Sequence, residues 1–350
     1  METPHRYTAI ASAEVAELLD RTLAGIGADI DAAAIPGLLA VLLGGGYGRG
    51  EGGVRHTALG DRPYNDLDFF VVASSAAAAD GIKAALRNIA EKWEKTLGIA
   101  VDFSYAKTPE QLRKAAGTLM FQELLRGYLP VWGKADLAEC IPALTPEELP
   151  FTEAARLFLN RGMGLVLSGE HISRQSDDAD FIVRNLNKAI LGSGDALLLA
   201  AGLYRWSATE RQAAFAGYVQ RAGLPEKYAT RYEQALRYKS APDPVLPDDP
   251  QAAWQDVREF FLDAVRRAAE VPADADARAV SSGLSRRAAK ERSVKNLLRW
   301  ARRTGKLRCP ATWCDAPVVT LLGQLYDRLS RPEVCPDCPP KLRRLWEFFN

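Results

Sequence analysis

The fold is decided by residues 44–68, which read GGGYGRGEGGVRHTALGDRPYNDLD and run into the apolar segment Phe69–Val72. Glycine accepts positive φ and lets backbone N–H groups approach a ligand closely, so Gly45 and Gly46 predict an anion-binding turn. The apolar run Leu38–Leu43 predicts a buried strand that ends at this turn. A phosphate-binding loop at a strand end is therefore the expected arrangement.

Two aspartates stand at the start of the apolar segment. In a strand, residues i and i+2 point to the same face about 6.5–7 Å apart, so Asp66 and Asp68 present their carboxylates side by side. Mg²⁺ prefers oxygen ligands, and two such ions about 3.5–4 Å apart can clamp a phosphoryl displacement. A third carboxylate is expected from a neighbouring strand, and Asp102 in the predicted strand Ile99–Tyr105 supplies it. The pattern predicts a two-ion magnesium site.

The glycine turn, the Asp-x-Asp pair and the later strand aspartate resemble, in this order, the nucleotidyltransferase superfamily of the DNA polymerase beta type. The turn at 45–51 is similar to that of bacterial protein uridylyltransferases, and the helical part described below resembles that of small-molecule nucleotidyltransferases. The chain departs from the family pattern at one place. Nineteen residues separate Gly46 from Asp66, which predicts an insertion at Gly52–Pro63 and a location for acceptor specificity.

The resemblance implies a Mg²⁺-dependent nucleotidyltransferase. Such an enzyme moves a nucleoside monophosphate from a nucleoside triphosphate, expected to be ATP, to an acceptor hydroxyl and releases pyrophosphate. It implies that Asp66, Asp68 and Asp102 bind two Mg²⁺ ions and that Asp102 helps to deprotonate the acceptor. The nucleotide-binding residues that it implies are Gly45, Gly46, Tyr47, Arg49 and Lys188. The acceptor stays open among a small molecule, a protein and an RNA 3′ end.

Other interpretations of these residues stay open. A glycine-rich loop followed by a strand with acids at its exposed end would serve solubility alone. A non-catalytic nucleotide-binding regulatory protein would keep the fold, although the presence of all three aspartates argues against it. A further alternative is an RNA-binding or RNA-modifying protein that uses the basic C-terminal segment.

Length and composition are those of an ordinary globular protein. With 350 residues, 47% of them hydrophobic and 25% charged, the chain is long enough for two or three domains that each bury a core. It has no run of about 18 uncharged apolar residues, and its N-terminus lacks the order of a secretory signal, so we expect no membrane span and a cytoplasmic location. The oligomeric state is not indicated.

Periodicity and proline content divide the chain into three parts. We predict an α+β fold with a small mixed-sheet nucleotidyltransferase core in residues 1–148, which ends at the proline-rich stretch 142–150. A helical domain that binds substrate or nucleotide is expected in 149–270. A basic helical region that contains cysteines is expected in 271–350.

The predicted helical domain contains a face that suits a nucleotide. Its helical patterns cover 153–167, 180–206, 208–222 and 252–271. Arg184, Lys188 and Asp195 share one face of the second helix, while Gly192 and Gly194 let a ligand or another helix approach closely. For Lys188 we weigh a contact with the triphosphate equally against a salt bridge with a carboxylate.

The basic segment Arg286–Arg308 contains ten Lys or Arg residues and one Glu, a local charge of +9 in a chain whose net charge is +1. Within it, an apolar stripe predicts a cationic amphipathic helix; the stripe consists of Val294, Leu297, Leu298 and Ala301. Three interpretations compete: a solvated helix docked on the body, a surface for RNA or membrane, and a clamp on the nucleotide or an acidic substrate.

Four of the five cysteines cluster near the end of the sequence, as Cys309, Cys314, Cys335 and Cys338. The C-x4-C and C-x2-C spacings are near those of structural zinc sites. In a cytoplasmic protein the alternatives are a Zn²⁺ site and four free thiols. The fifth, Cys140, is expected to be a buried lone thiol.

Overall fold

The computed structural model describes residues 6–305, 314–331 and 339–349. The chain divides into two compact units. The first, here called the sheet unit, comprises Met1–Thr145 together with Arg237–Asp243. The second, the helical unit, comprises Pro146–Leu236 and Pro244–Asn350. One unit is built on a small mixed sheet and the other on helices, so the predicted α+β fold class is confirmed.

The sheet unit alternates strands and helices along its first segment. Its strands are β1 Leu38–Leu43, β2 Val54–Thr57, β3 Gly60–Pro63, β4 Asp66–Ala73, β5 Ala100–Phe103 and β6 Leu129–Gly133. Its helices are α1 Ala13–Ala33, α2 Gly45–Gly48, α3 Ala79–Leu97, α4 Pro109–Lys114, α5 Leu119–Arg126 and α6 Leu137–Cys140. The predicted strands Leu38–Leu43 and Ile99–Tyr105 correspond to β1 and β5.

Four strands form the main sheet in the order β5-β4-β1-β6. β1 pairs antiparallel with β4 and β6, whereas β4 and β5 run parallel. β1 is apolar throughout because both faces of the sheet are covered: Val41 and Leu43 pack into the core that includes α1 and α3, and Ala40 and Leu42 into the core on the other side. The parallel register places Asp68 directly opposite Asp102.

The termini of the flanking helices follow the sequence signals. Ser12 is the N-cap of α1 and accepts a hydrogen bond from the Val15 N–H, the usual role of a serine directly before a helix. Thr108 and Gln111 form a reciprocal capping box at the start of α4. α3 ends at Gly98, which adopts the left-handed conformation with φ +70°.

The predicted insertion at Gly52–Pro63 contains a two-stranded hairpin. β2 and β3 pair antiparallel over Val54–Thr57 and Gly60–Pro63, separately from the main sheet. His56 and Asp61 face each other on its exposed surface, with Nδ1 and Oδ1 2.6 Å apart. The hairpin therefore leads the chain from the glycine turn back to the start of β4.

The helical unit is built from long amphipathic helices. They are α7 Phe151–Ser173, α8 Ala179–Ala200, α9 Ala208–Arg221, α10 Lys227–Ser240, α11 Pro250–Ala268, α12 Ala277–Arg287, α13 Val294–Thr304, α14 Pro317–Ser330 and α15 Pro340–Phe349. The last residues of α10, from Arg237 onward, belong to the sheet unit. The four helical segments expected between 153 and 271 are present with shifted ends. α10 was missed because tyrosines supply two of its three buried positions, Tyr228, Tyr232 and Ala235.

The glycines of α8 let side chains of neighbouring helices in the helical unit approach closely. Of the two expected roles, approach of a ligand and approach of another helix, their contacts fit the second. A Cβ added at Gly192 would collide with the side chain of Arg161, and one added at Gly194 would lie 2.6 Å from the Tyr232 ring. Asp195 is bound to neighbouring side chains of the helical unit. It accepts a 2.5 Å hydrogen bond from the Tyr232 hydroxyl and lies 3.3 Å from Arg211 Nε.

The C-terminal helices differ in part from the expected pattern. On α13, Val294 and Leu298 of the predicted apolar stripe are 65% and 56% exposed. Trp300 is buried instead and stacks on Phe349 of α15, with ring centroids 5.9 Å apart. The large aromatic ring buries more apolar surface than the two aliphatic side chains, so it fixes the rotation of the helix.

Of the predicted zinc ligands, Cys309, Cys335 and Cys338 lie outside the described residues. Cys314 is a free, partly exposed thiol, and Cys140 is free and buried. Among the described residues, no helix combines the length and the apolar character needed to span a membrane.

Candidate active site

Three aspartates come together at one end of the main sheet. Asp66 and Asp68 lie two residues apart on β4, and Asp102 lies on the parallel neighbour β5. One carboxylate oxygen of each lies within 4.8 Å of those of the other two. Asp66 and Asp68 are half-buried, and Asp102 is exposed. These residues are here called the aspartate cluster.

The chemistry of the aspartate cluster fits a magnesium ion. Its three side chains offer hard carboxylate oxygens, which are the ligands that Mg²⁺ prefers. Although the residue as a whole is exposed, partial desolvation of its carboxylate raises the pKa of Asp102, and the negative charges of Asp66 and Glu94 raise it further. A bound divalent cation would offset this repulsion, so the donor set and its charge both suit a metal.

The glycine turn, Gly44–Gly46, is joined to the aspartate cluster by the backbone. The Gly44 N–H donates to the carbonyl oxygen of Asp68 at 2.8 Å. Gly45 adopts φ +59°, and a Cβ added there would collide with Oδ2 of Asp68. Only glycine accepts both the conformation and the contact without strain. The turn thus places the first backbone N–H groups of α2 beside the aspartates.

Tyr47 is placed differently from the predicted nucleotide contact. Its ring is only 4% exposed and points into the core of the sheet unit. Its hydroxyl donates to the Gly53 carbonyl at 2.7 Å and accepts from the Tyr64 N–H at 2.6 Å. Burial raises the pKa of this hydroxyl well above its usual range, which keeps it protonated. Tyr47 therefore fastens both ends of the hairpin to the glycine turn.

Replacing Tyr47 with Phe is expected to lower the free energy of unfolding by about 1–3 kcal/mol, because a buried C=O and a partly buried N–H each lose a partner. Tyr105→Phe is the matched control: its hydroxyl donates to Asp80 at the surface, 3.0 Å away, and its loss should cost less than about 0.5 kcal/mol. Urea unfolding of both variants measures the difference. Equal destabilisation would contradict the fastening role.

Arg49 is held between two carboxylates. Its Nε lies 3.6 Å from Glu51 Oε2 and its Nη1 lies 3.4 Å from Glu123 Oε2. The Arg49 side chain is 13% exposed. It packs closely against Gly127, since a Cβ added at Gly127 would lie 2.7 Å from Arg49 Cγ. The guanidinium therefore links the end of the glycine turn to α5, and its charge is already balanced within the protein.

Lys239 lies beside Glu51, the carboxylate that also pairs with Arg49. The sequence patterns did not indicate this lysine as a site residue. It belongs to Arg237–Asp243, the second segment of the sheet unit, and its Nζ is 3.3 Å from Glu51 Oε2. Its neighbour Tyr238 reaches the Tyr64 hydroxyl at 2.9 Å. The helical pattern of α10 is the sequence signal that could have indicated Lys239.

Lys188 lies on α8 of the helical unit and is partly exposed. Of the other predicted site residues, all in the sheet unit, the structure brings five together: Asp66, Asp68, Asp102, Gly45 and Gly46. Arg49 is ion-paired, and Tyr47 is buried. Lys188 belongs to the other unit.

Comparison with known proteins identifies a structural neighbour. No family model matches the sequence, and no curated protein matches it. The neighbour is spectinomycin adenyltransferase AAD(9) from Enterococcus faecialis, solved with ATP and spectinomycin. It is 16% identical, with a TM-score of 0.39, over 71% of this chain and 99% of that chain.

The neighbour is, by its name, an adenyltransferase. At this identity and TM-score, the likeness assigns neither a donor nor an acceptor to the present chain.

Proposed function

We propose that the protein is a nucleotidyltransferase that moves a nucleoside monophosphate from a nucleoside triphosphate to an acceptor hydroxyl. The observation that carries the proposal is the aspartate cluster, with its carboxylate oxygens within 4.8 Å of one another, directly beside a glycine turn. In the reaction, the acceptor oxygen forms a bond to the α-phosphorus, and the bond from that phosphorus to the bridging oxygen of pyrophosphate breaks.

Each carboxylate has a role in this proposal. Asp66 and Asp68 hold Mg²⁺, and Asp102 completes the site and takes part in removing the proton from the acceptor hydroxyl. Two bound Mg²⁺ ions supply neutralisation of the phosphate charges and orientation of the attacking and leaving oxygens. The protein itself contributes positioning, because the strand register sets Asp68 opposite Asp102 and keeps the three carboxylates near one another.

The triphosphate is proposed to lie on the glycine turn. The N–H groups of Gly45 and Gly46 start a helical turn and are directed to the β- and γ-phosphates. Lys239 is the cation that we place next to this turn, and Lys188 stays a proposed triphosphate contact on the resemblance of the sequence alone. Arg49 holds the turn in place through Glu51 and Glu123 and is assigned a positioning role.

The donor is proposed to be ATP, and the acceptor hydroxyl belongs to a small molecule, a protein or an RNA 3′ end. The hairpin β2–β3 is the proposed determinant of the acceptor, because it is the inserted element that adjoins the turn. A non-catalytic nucleotide-binding role gains no specific support, since all three carboxylates that catalysis requires are present and adjacent.

A thermal-shift screen of nucleoside triphosphates with and without Mg²⁺ tests the proposal. A donor at 100 times its Kd stabilises the folded state by about 2.7 kcal/mol, which corresponds to a rise in Tm of about 5 °C. We expect this shift for ATP with Mg²⁺ and its loss when EDTA is added. Lys239→Ala and Lys188→Ala should each reduce it if both lysines contact the triphosphate. Absence of a shift with every nucleoside triphosphate in Mg²⁺ would refute the proposal.

A further inference from the structure

The exposed side of α13 combines a cationic surface with apolar and aromatic groups. Its four cations, here called the basic face, are Lys295, Arg299, Arg302 and Arg303, and all four are exposed. The helix contains no acidic residue. We propose that the basic face of α13 binds single-stranded RNA, a function separate from nucleotidyl transfer.

The spacing of the cations suits an extended polyanion. Around the helix axis, Arg302, Lys295, Arg299 and Arg303 follow one another over roughly 100° of the exposed side, at 100° of rotation per residue. Along the axis, Lys295 and Arg303 are separated by about 12 Å, at 1.5 Å per residue. A row of charges of this length addresses several successive phosphates of one strand, whereas a small anion would require the cations to converge on a point.

An aromatic ring at the edge of the basic face offers a platform for a base. Phe348 of α15 is 49% exposed, and the Arg303 guanidinium carbon lies 4.4 Å from the centroid of its ring. Phe348 also packs edge-on against Phe349, whose centroid is 4.9 Å away, so the ring is held in position. Single-stranded nucleic acids bind where basic side chains track phosphates and aromatic rings stack on bases.

The same contacts disfavour a membrane surface. A helix that lies in a bilayer interface inserts a broad apolar face rich in Trp, Phe and Leu. On α13, Trp300 is 7% exposed and stacked on Phe349, and Leu297 is partly buried, so Val294 and Leu298 are the apolar side chains of this helix that stand mostly exposed. Two aliphatic side chains beside four cations favour a polyanion over a lipid phase.

The test is fluorescence anisotropy of a labelled 12-nucleotide oligouridylate with the full chain at several salt concentrations. Each neutralised phosphate of a single strand contributes about −0.7 to the slope of log K against log salt, so three to four contacts predict a slope of about −2 to −3. Lys295→Glu with Arg302→Glu should weaken binding by at least tenfold at low salt. Among the described residues, the α13 cations that lie over aromatic rings are Arg299 and Arg303, not these two, so α13 should keep its packing.

The control is Arg221→Glu with Arg278→Glu, which changes the charge equally at exposed positions of α9 and α12. We expect this variant to bind like the unmodified protein, and Phe348→Ala to lose about tenfold through the missing stack. Circular dichroism verifies folding of all variants. Equal losses in the two charge variants, tighter binding to the matching oligodeoxythymidylate, or binding to phosphatidylserine vesicles but not to RNA would each overturn the proposal.

Discussion

Replacing Asp68 with Asn is expected to lower nucleotidyl transfer by about a thousandfold or more while leaving the fold intact. The substitution keeps the size of the side chain but removes a negative charge from the aspartate cluster, and the Mg²⁺-dependent stabilisation of the transition state is worth several kcal/mol. Release of labelled pyrophosphate from γ-labelled ATP, with a panel of hydroxyl acceptors, measures the effect. The Mg²⁺-dependent rise in Tm with ATP should disappear as well.

Glu110→Gln provides the matched control for Asp68→Asn. Glu110 loses the same charge, but it lies exposed on α4 and is paired with Lys114, 2.6 Å away. Transfer by this variant should stay within about twofold of the unmodified protein, since exposed ion pairs contribute little. If Asp68→Asn retained full activity, the assignment of this carboxylate to the metal would be wrong.

Replacing Gly45 with Ala is expected to be the second most damaging single change in the site. The new methyl group would collide with Oδ2 of Asp68, and the backbone at φ +59° would carry a side chain in the left-handed region, at a cost of about 1–2 kcal/mol. To relieve the collision, the carboxylate of Asp68 must move. We expect transfer to fall by about a hundredfold, because small displacements of positioned groups are costly in rate.

The adjacent glycine separates this effect from a general intolerance of the turn. A Cβ added at Gly46 would lie 3.4 Å from the Glu51 carbonyl, an ordinary contact, and Gly46 does not have positive φ. Gly46→Ala should therefore lose much less transfer activity and stability than Gly45→Ala. Comparison of kcat and of urea unfolding for the two variants measures the difference. Indistinguishable variants would show that the contact between Gly45 and Asp68 has no role.

The parts of the site that follow from local periodicity could be predicted from the sequence. Strand alternation placed Asp66 and Asp68 on one face, and the short apolar strand after α3 identified Asp102. A parallel β-α-β connection brings such strands into neighbouring positions, so the meeting of the three residues required no distant information. The same holds for the strand β1 and the cap of α1, which are signalled by a few adjacent residues.

The parts that depend on distant contacts could not be predicted. The pairing of Arg49 with Glu123 joins residues on either side of β4, α3 and β5, and a basic residue near a glycine turn looks the same whether it faces phosphate or protein. Likewise, nothing in the sequence around Tyr47 indicates that its hydroxyl forms hydrogen bonds with the Gly53 carbonyl and the Tyr64 N–H. Lys239 was missed because its helix has tyrosines where aliphatic residues are usual.

The return of Arg237–Asp243 to the sheet unit has a consequence for the order of folding during synthesis. The hydrogen bond between Tyr64 and Tyr238 joins residues 174 positions apart, and that between Glu51 and Lys239 joins residues 188 positions apart. Contacts of such high sequence separation form late, and a ribosome must first release most of the chain. Glu51 and Tyr64, which follow the glycine turn in the sequence, therefore gain these contacts only after α7, α8 and α9 have been made, so a nascent chain that stops before Tyr238 lacks them.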